Sequence, residues 1–386
     1  MDNPSVMINS TQTLAVDHAW MRRALELAAR GTARTSPNPL VGALVVKDGK
    51  SIGEGFHTYD GRKHGEVIAL EQAGNAARGA TLYLNLEPCC HTGRTGPCTE
   101  SVIRAGVTRV VAAMSDPNPQ VSGKGFELLK AAGIEVSVGE CAEEARRMNE
   151  PFARFITSGV PLVTLKAAMT LDGKIAAPDD NSGWITSEAA RAHVQQLRHA
   201  QDAIWTGIGT VLADDPMLTD RSGDPRRRPL LRVVMDSHLR IPLTAKMLSE
   251  VHGDLMIMCA ASADPAKRRA LEQRGVEVIV APSAGGDNAR PGLHAVLEEL
   301  ARRQMTSVMI EAGAALNGAA LEAGIVDKIF FYYAPKLLGG DDALPAVGGR
   351  GIRAMRDALA VKNVRHQQFG DDFAIEGYLK DVYGNH

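Results

Sequence analysis

Short apolar runs of strand length alternate with segments of helical period along almost all of the 386 residues, which restricts the chain to layered α/β architectures. From Asp17 onward Trp20, Ala24, Leu27 and Ala28 recur at three- and four-residue spacings, and Gly31 closes the run. Residues 1–16 ahead of it are polar and patternless and read as a flexible tail. Ser36-Pro37-Asn38-Pro39 cannot be helical. Strands are expected at 41–46, 51–56, 81–86, 109–114 and 134–138, with Asp48-Gly49 as a hairpin turn and Leu82, Leu84 and Leu86 on one face. Helical patterns fill 64–72, 99–105, 126–132 and 142–156.

The breaker cluster Thr157-Ser158-Gly159-Val160-Pro161 is the best boundary. A second series follows, with strands at 162–169, 203–206, 231–236, 254–259, 276–280, 307–311 and 328–333. Its helices fall at 187–198, 266–273, 293–303 and 315–323. The chain is therefore expected to hold a tail (1–16), a first α/β domain (17–157) and a second (158–386). Charge argues against a nucleic-acid scaffold: 43 basic against 45 acidic residues leave a net −2, without the basic surplus that phosphate binding usually needs. Arg226-Arg227-Arg228 reads as a solvated loop. No apolar run approaches the ~18 residues of a membrane span. The N-terminus lacks the charged and apolar regions of a signal peptide, so a cytoplasmic protein is expected.

Of the five cysteines, Cys89, Cys90 and Cys98 lie within ten residues, which suggests metal chemistry more than disulfides. His64-Gly65-Glu66 opens a helix, Glu87-Pro88-Cys89 ends a strand, and Pro97-Cys98 begins the next helix. One imidazole and two thiolates make a three-ligand zinc site, one ion per chain, with a position left for water. Such a metal acidifies its water, and Glu66, not itself a ligand, is placed to carry a proton to a leaving amine. This is the H-x-E, P-C, Cys pattern of zinc deaminases. A closed structural site with Cys90 or His91 as fourth ligand is the plainer alternative. Adjacent residues on an extended chain face opposite ways, which argues against Cys90.

These residues, with Cys90-His91-Thr92-Gly93-Arg94-Thr95-Gly96 between the cysteines and Asp116-Pro117-Asn118-Pro119-Gln120-Val121 beyond, resemble the bifunctional riboflavin-biosynthesis deaminase/reductase family. The eight-residue gap from Cys89 to Cys98 is a mark of that branch. Gly65 and Cys90 depart from its usual alanine and small polar residue. The resemblance implies a cytidine-deaminase-like three-layer domain, then a dihydrofolate-reductase-like domain. It also implies deamination of 2,5-diamino-6-ribosylamino-4(3H)-pyrimidinone 5′-phosphate and NADPH-dependent reduction of the ribosyl side chain. Asn38, Arg94 and Thr95 are then candidates for binding this substrate.

In the second half, Glu311-Ala312-Gly313-Ala314-Ala315-Leu316-Asn317-Gly318 runs from a strand into a helix and suits an anion, although alone it reads more readily as a tight β-to-α turn. Lys166 to Lys174, Ser182 to Thr186, Gly209 to Pro216 and the Glu311 segment resemble the family's reductase half. The match implies cofactor contacts at Ala168, Trp184, Thr210, Asp214, Ser237, Gly313, Ala314, Ala315, Leu316, Asn317 and Gly318. It implies substrate contacts at Ser182, Arg198, Leu218, Arg221 and Glu311. Lys166 and Glu311 are the candidates for polarising the opened ribosylamine. The family also implies a homo-oligomer built through the reductase domain. Rival readings are a tRNA or nucleobase deaminase with an accessory domain, a zinc-stabilised binding module, and a chain with one active half.

Overall fold

The structure is a computed structural model that describes residues 4–92, 96–179, 183–281 and 291–383. It divides into two units, Met1–Ser158 and Gly159–His386, inside the breaker cluster at 157–161.

In the first unit a helix, α1 (Pro4–Ala29), leads into the hairpin β1 (Gly42–Lys47) and β2 (Lys50–Phe56). There follow α2 (Gly65–Ala73), β3 (Thr81–Leu84), α3 (Cys98–Ala105), β4 (Arg109–Ala112), α4 (Lys124–Ala131) and β5 (Glu135–Val138), and then α5 (Ala142–Met148) and α6 (Glu150–Ser158). Helical backbone thus extends to Pro4, through most of the stretch read as a tail. The sheet order is β2-β1-β3-β4-β5, with β1 antiparallel to both neighbours and β3, β4 and β5 parallel. Side-chain alternation sorts the core into two layers. Ala43, Val45, Leu82, Leu84, Val110 and Ala112 pack under α2, α3 and α4. Leu44, Val46, Tyr83 and Val111 pack under Met21, Ala24 and Leu27 of α1. Leu86 falls in this second layer, because β3 ends at Leu84 and the alternation ends with it.

A buried ion pair fastens α1 to the sheet. Arg109 on β4 donates to both Asp17 oxygens, at 2.9 and 2.7 Å, and the Tyr83 hydroxyl donates to Oδ1 at 2.7 Å. Burial alone would raise the Asp17 carboxyl, but hydrogen bonds from Arg109 and Tyr83 hold it below the ordinary value. Its stabilising contribution is therefore complete above the unfolded carboxylate range and is lost as the pH falls through the depressed value. Arg109→Ala leaves Asp17 buried against one neutral donor. It is expected to cost this unit about 3 kcal/mol and to move its acid unfolding to higher pH, both measurable by denaturation followed by circular dichroism.

The second unit begins with β6 (Leu162–Thr170), β7 (Lys174–Ala176), α7 (Glu188–Ala200), β8 (Ala203–Gly207), α8 (Ile208–Asp214) and β9 (Leu231–Met235). It continues with β10 (Leu255–Cys259), α9 (Pro265–Glu272), β11 (Glu277–Val280), α10 (Leu293–Arg302), β12 (Ser307–Glu311) and α11 (Ala314–Glu322). The last elements are β13 (Lys328–Ala334), β14 (Leu344–Pro345), β15 (Lys362–Phe369) and β16 (Asp372–Tyr378). Among the described residues the main sheet has the order β11-β10-β9-β8-β12-β6-β13-β16-β15, and only β16 runs against its neighbours. Apolar side chains of the parallel strands are buried on both faces. Trp205, Val233, Met256 and Ile310 lie toward α10 and α11, and Ile204, Val234, Ile257 and Met309 toward α8 and α9. This is the expected dihydrofolate-reductase-like layering. The Arg226 run is not solvated as expected. Arg226 donates to the carbonyls of His199 and Gln201, both at 2.7 Å, and Arg228 pairs with Asp202 at 3.2 Å.

Candidate active sites

Glycines let α2 settle closely on β2. A Cβ at Gly53 would stand 2.1 Å from the Ala69 carbonyl oxygen, and one at Gly55 2.2 Å from that of Gly65. His64 precedes α2 in extended backbone and makes no capping bond, which leaves its ring available. Cys98 is the first residue of α3, and its N–H donates to Cys89 Sγ at 3.4 Å. His64 Nδ1 lies 3.1 Å from Cys98 Sγ and 3.6 Å from Cys89 Sγ, and the three donor atoms lie within 4.8 Å of one another. Cys90 is not part of this group. The hydrogen bond from the Cys98 thiol, with His64 beside it, holds the Cys89 thiol well below its ordinary range. That same bond, together with burial, pushes Cys98 up. Glu66 is 2 % exposed, burial raises its carboxyl, and its Oε2 has no hydrogen-bond partner among the described residues. One imidazole, two sulfurs and an unpartnered buried carboxylate oxygen suit a zinc ion with a reacting group beside it.

Two features of this site carried no sequence signal. Glu87, two residues before Cys89, accepts from the backbone N–H groups of Asp116, Gly123 and Gly125 at 3.1, 2.9 and 2.9 Å, which fixes the loop after β3 that presents the cysteine. His57 is buried, and its ring stands edge-on to His64 at 5.0 Å. Its Nδ1 is 3.0 Å from the Lys63 carbonyl and must donate there, so Nε2 accepts from Asn38 Nδ2 at 3.0 Å. Asn38 is thereby oriented by a side chain nineteen positions away. The turn that carries it is held at Leu40, whose N–H and C=O both bond Asn149. Arg94 and Thr95 lie outside the described residues.

In the second unit β6 and β12 are parallel neighbours, with Lys166 opposite Glu311. Lys166 Nζ is 3.1 Å from Glu311 Oε1. Arg198 of α7 grips the same carboxylate through Nη2 at 2.8 Å and Nε at 3.0 Å, and its Nη1 reaches the Thr219 carbonyl at 3.3 Å. Burial would raise the Glu311 carboxyl, but Lys166 and Arg198 hold it down at about 2.

The positions matched to cofactor contacts cluster at strand ends. The starts of α8 and α11, after the adjacent strands β8 and β12, are tied by a bond from Gly313 N–H to Thr210 Oγ1 at 3.1 Å. Gly313 is the N-cap, and Ala314, Ala315 and Leu316 form the first turn of α11, where backbone N–H groups at a helix start suit a phosphate. Asn317 and Gly318 face the other way. Asn317 Nδ2 bonds the Ala346 carbonyl at 2.8 Å, and a Cβ at Gly318 would stand 2.0 Å from the Gly348 oxygen. Asp214 ends α8, and Ser237 lies just beyond β9. Ala168 packs on β6 beside Phe330 and Tyr332. Trp184 is 73 % exposed, with Arg191 stacked 4.8 Å from its ring, so it is no core aromatic. Leu218 is buried in left-handed backbone (φ 51°), and the Arg221 N–H donates to Gln195. Ser182 lies outside the described residues.

A deaminase-type site in one unit and a reductase-type sheet in the other define a bifunctional α/β enzyme. Residues 14–114 match the cytidine and deoxycytidylate deaminase zinc-binding region, and residues 161–375 the RibD C-terminal domain. The riboflavin biosynthesis protein RibD of Bacillus amyloliquefaciens is 41 % identical over 95 % of this chain and 97 % of its own. That of Escherichia coli K12 is 41 % identical over 91 % and 96 %. Among solved structures, Acinetobacter baumannii RibD superposes with a TM-score of 0.81 at 40 % identity, covering 95 % of this chain and 99 % of that one. A diaminohydroxyphosphoribosylaminopyrimidine deaminase/5-amino-6-(5-phosphoribosylamino)uracil reductase from Thermotoga maritima gives 0.78 at 34 % identity, with the same coverage. The chain belongs to the RibD family, the bifunctional deaminase/reductase enzymes of riboflavin biosynthesis. Among its described residues no helix is long and apolar enough to cross a membrane.

Proposed function

We propose that this enzyme deaminates 2,5-diamino-6-ribosylamino-4(3H)-pyrimidinone 5′-phosphate and then reduces the ribosyl side chain of the product with NADPH. The observation that carries the first step is the convergence of His64, Cys89 and Cys98 beside the buried Glu66 carboxylate, whose Oε2 has no partner among the described residues. Those three side chains would hold one zinc, which when bound supplies an acidified water and Lewis acidity. Glu66 Oε2 takes a proton from the attacking water and returns it to the amine as ammonia leaves. Asn38, oriented by His57, hydrogen-bonds the pyrimidine edge, and Arg94 and Thr95 receive the phosphate.

For the second step, NADPH supplies the hydride. The first turn of α11, with Thr210, holds the cofactor phosphates, and Ala168, Trp184, Asp214 and Ser237 border the same strand ends. Lys166 polarises and protonates the opened ribosylamine at its imine nitrogen. Glu311, itself gripped by Arg198, fixes the ammonium, while Ser182, Leu218 and Arg221 frame the substrate. A second copy of the chain is proposed to cover the apolar surface of the reductase unit, where Leu337 is 78 % and Met355 90 % exposed. Five free cysteines support a reducing, cytoplasmic setting.

Without NADPH, the enzyme is expected to release one ammonia per substrate and accumulate the deaminated ribosylamine. NADPH added afterwards should be consumed one for one. NADPH oxidation without ammonia release would contradict this order.

A further inference from the structure

A second group of ligating side chains lies in the first unit and plays no part in the deamination site. His18 on α1, Glu140 after β5 and Cys141 at the start of α5 bring an imidazole nitrogen, a carboxylate oxygen and a sulfur within 4.8 Å of one another. His18 Nδ1 is 2.7 Å from Glu140 Oε1. Cys141 Sγ is 3.4 Å from that nitrogen and 3.8 Å from that oxygen.

Bond lengths of ~2.0–2.3 Å to a tetrahedral zinc place its donors roughly 3.3–3.8 Å apart. Both sulfur separations already match. The imidazole and carboxylate must part by about 0.6 Å to reach the same tetrahedral spacing, and His18 has room to move because its side chain is 50 % exposed.

The backbone that presents these donors is fixed. Asp17, next to His18, is clamped by Arg109 and Tyr83. Gly139 N–H bonds the Ala112 carbonyl at 3.0 Å, and Cys141 is part of the core beneath α1. Burial pushes the Cys141 thiol up, Glu144 and Glu140 add to this and Arg22 opposes it, so a bound cation would displace the thiol proton. The contact of half-exposed His18 with Glu140 contributes little by itself, and it needs no sulfur. Imidazole, thiolate and carboxylate together are a donor set for a borderline-soft divalent cation.

We propose that His18, Glu140 and Cys141 form a second site for a divalent cation of the zinc class, with its remaining position open to solvent. A cation there joins α1 to the turn between β5 and α5. It stabilises this unit by mass action, without entering the deamination chemistry.

The test is equilibrium dialysis of the full chain against Zn2+ with metal analysis, for the wild type, His18→Ala and Cys141→Ser. The wild type should take up one zinc more than either variant. Added zinc should raise its unfolding temperature by more than it raises theirs, and deamination should be equal in all three. His18→Ala keeps the test decisive if Cys141→Ser perturbs the core, because His18 is half exposed. Equal zinc uptake by the wild type and a folded His18→Ala would overturn the proposal.

Discussion

Glu66→Gln is expected to leave zinc bound and to slow ammonia release by roughly 10²–10⁴-fold, the usual cost of losing a positioned acid–base group. The substitution keeps the shape of a side chain that is 2 % exposed at the first turn of α2, so the fold and the three ligands stay in place. It removes only the capacity to take up a proton. Reduction of the deaminated ribosylamine should be unchanged, because the residues proposed for it belong to the other unit. Near-parental ammonia release would assign the proton to another group.

The second large effect is expected at Lys166. In Lys166→Ala the Glu311 carboxylate keeps both bonds from Arg198, so no buried charge is stranded and the unit should fold. The opened ribosylamine loses its cationic donor, a change that typically costs about 10²–10³-fold in turnover. NADPH binding, assigned to the starts of α8 and α11, should stay nearly constant when measured by fluorescence. NADPH oxidation with the deaminated substrate should fall by that factor. An unchanged oxidation rate would make Lys166 structural and move the polarising role elsewhere.

Local patterns explain what the sequence revealed. Strands buried on both faces, such as β10, read as apolar runs, and the His64, Cys89 and Cys98 motif points to its chemistry because His64 and Cys98 sit at helix starts and Cys89 in the loop that follows β3. The closing pair β15 and β16 was not expected. β15 lies at the sheet edge and is mostly polar (Lys362, Asn363, Arg365, His366, Gln367, Gln368), so no apolar alternation marks it. The single helix expected over 142–156 is two, broken at Asn149, whose side chain is engaged by Leu40 more than a hundred residues away. The Asn38–His57 bond, the Arg109–Asp17 clamp and the anchoring of Arg226 are of the same long-range kind. They depend on which chain segments meet, and no local pattern encodes that.

Two independent half-reactions in one chain form the central claim, and Cys89→Ala tests it most directly. Zinc content after dialysis, ammonia release and NADPH-dependent reduction of the deaminated substrate should be measured on the same preparation. The account predicts loss of the zinc that the dialysed wild type retains and loss of ammonia release, with reduction at the parental rate. Ammonia release that survives without that zinc, or reduction that fails together with it, would contradict the account.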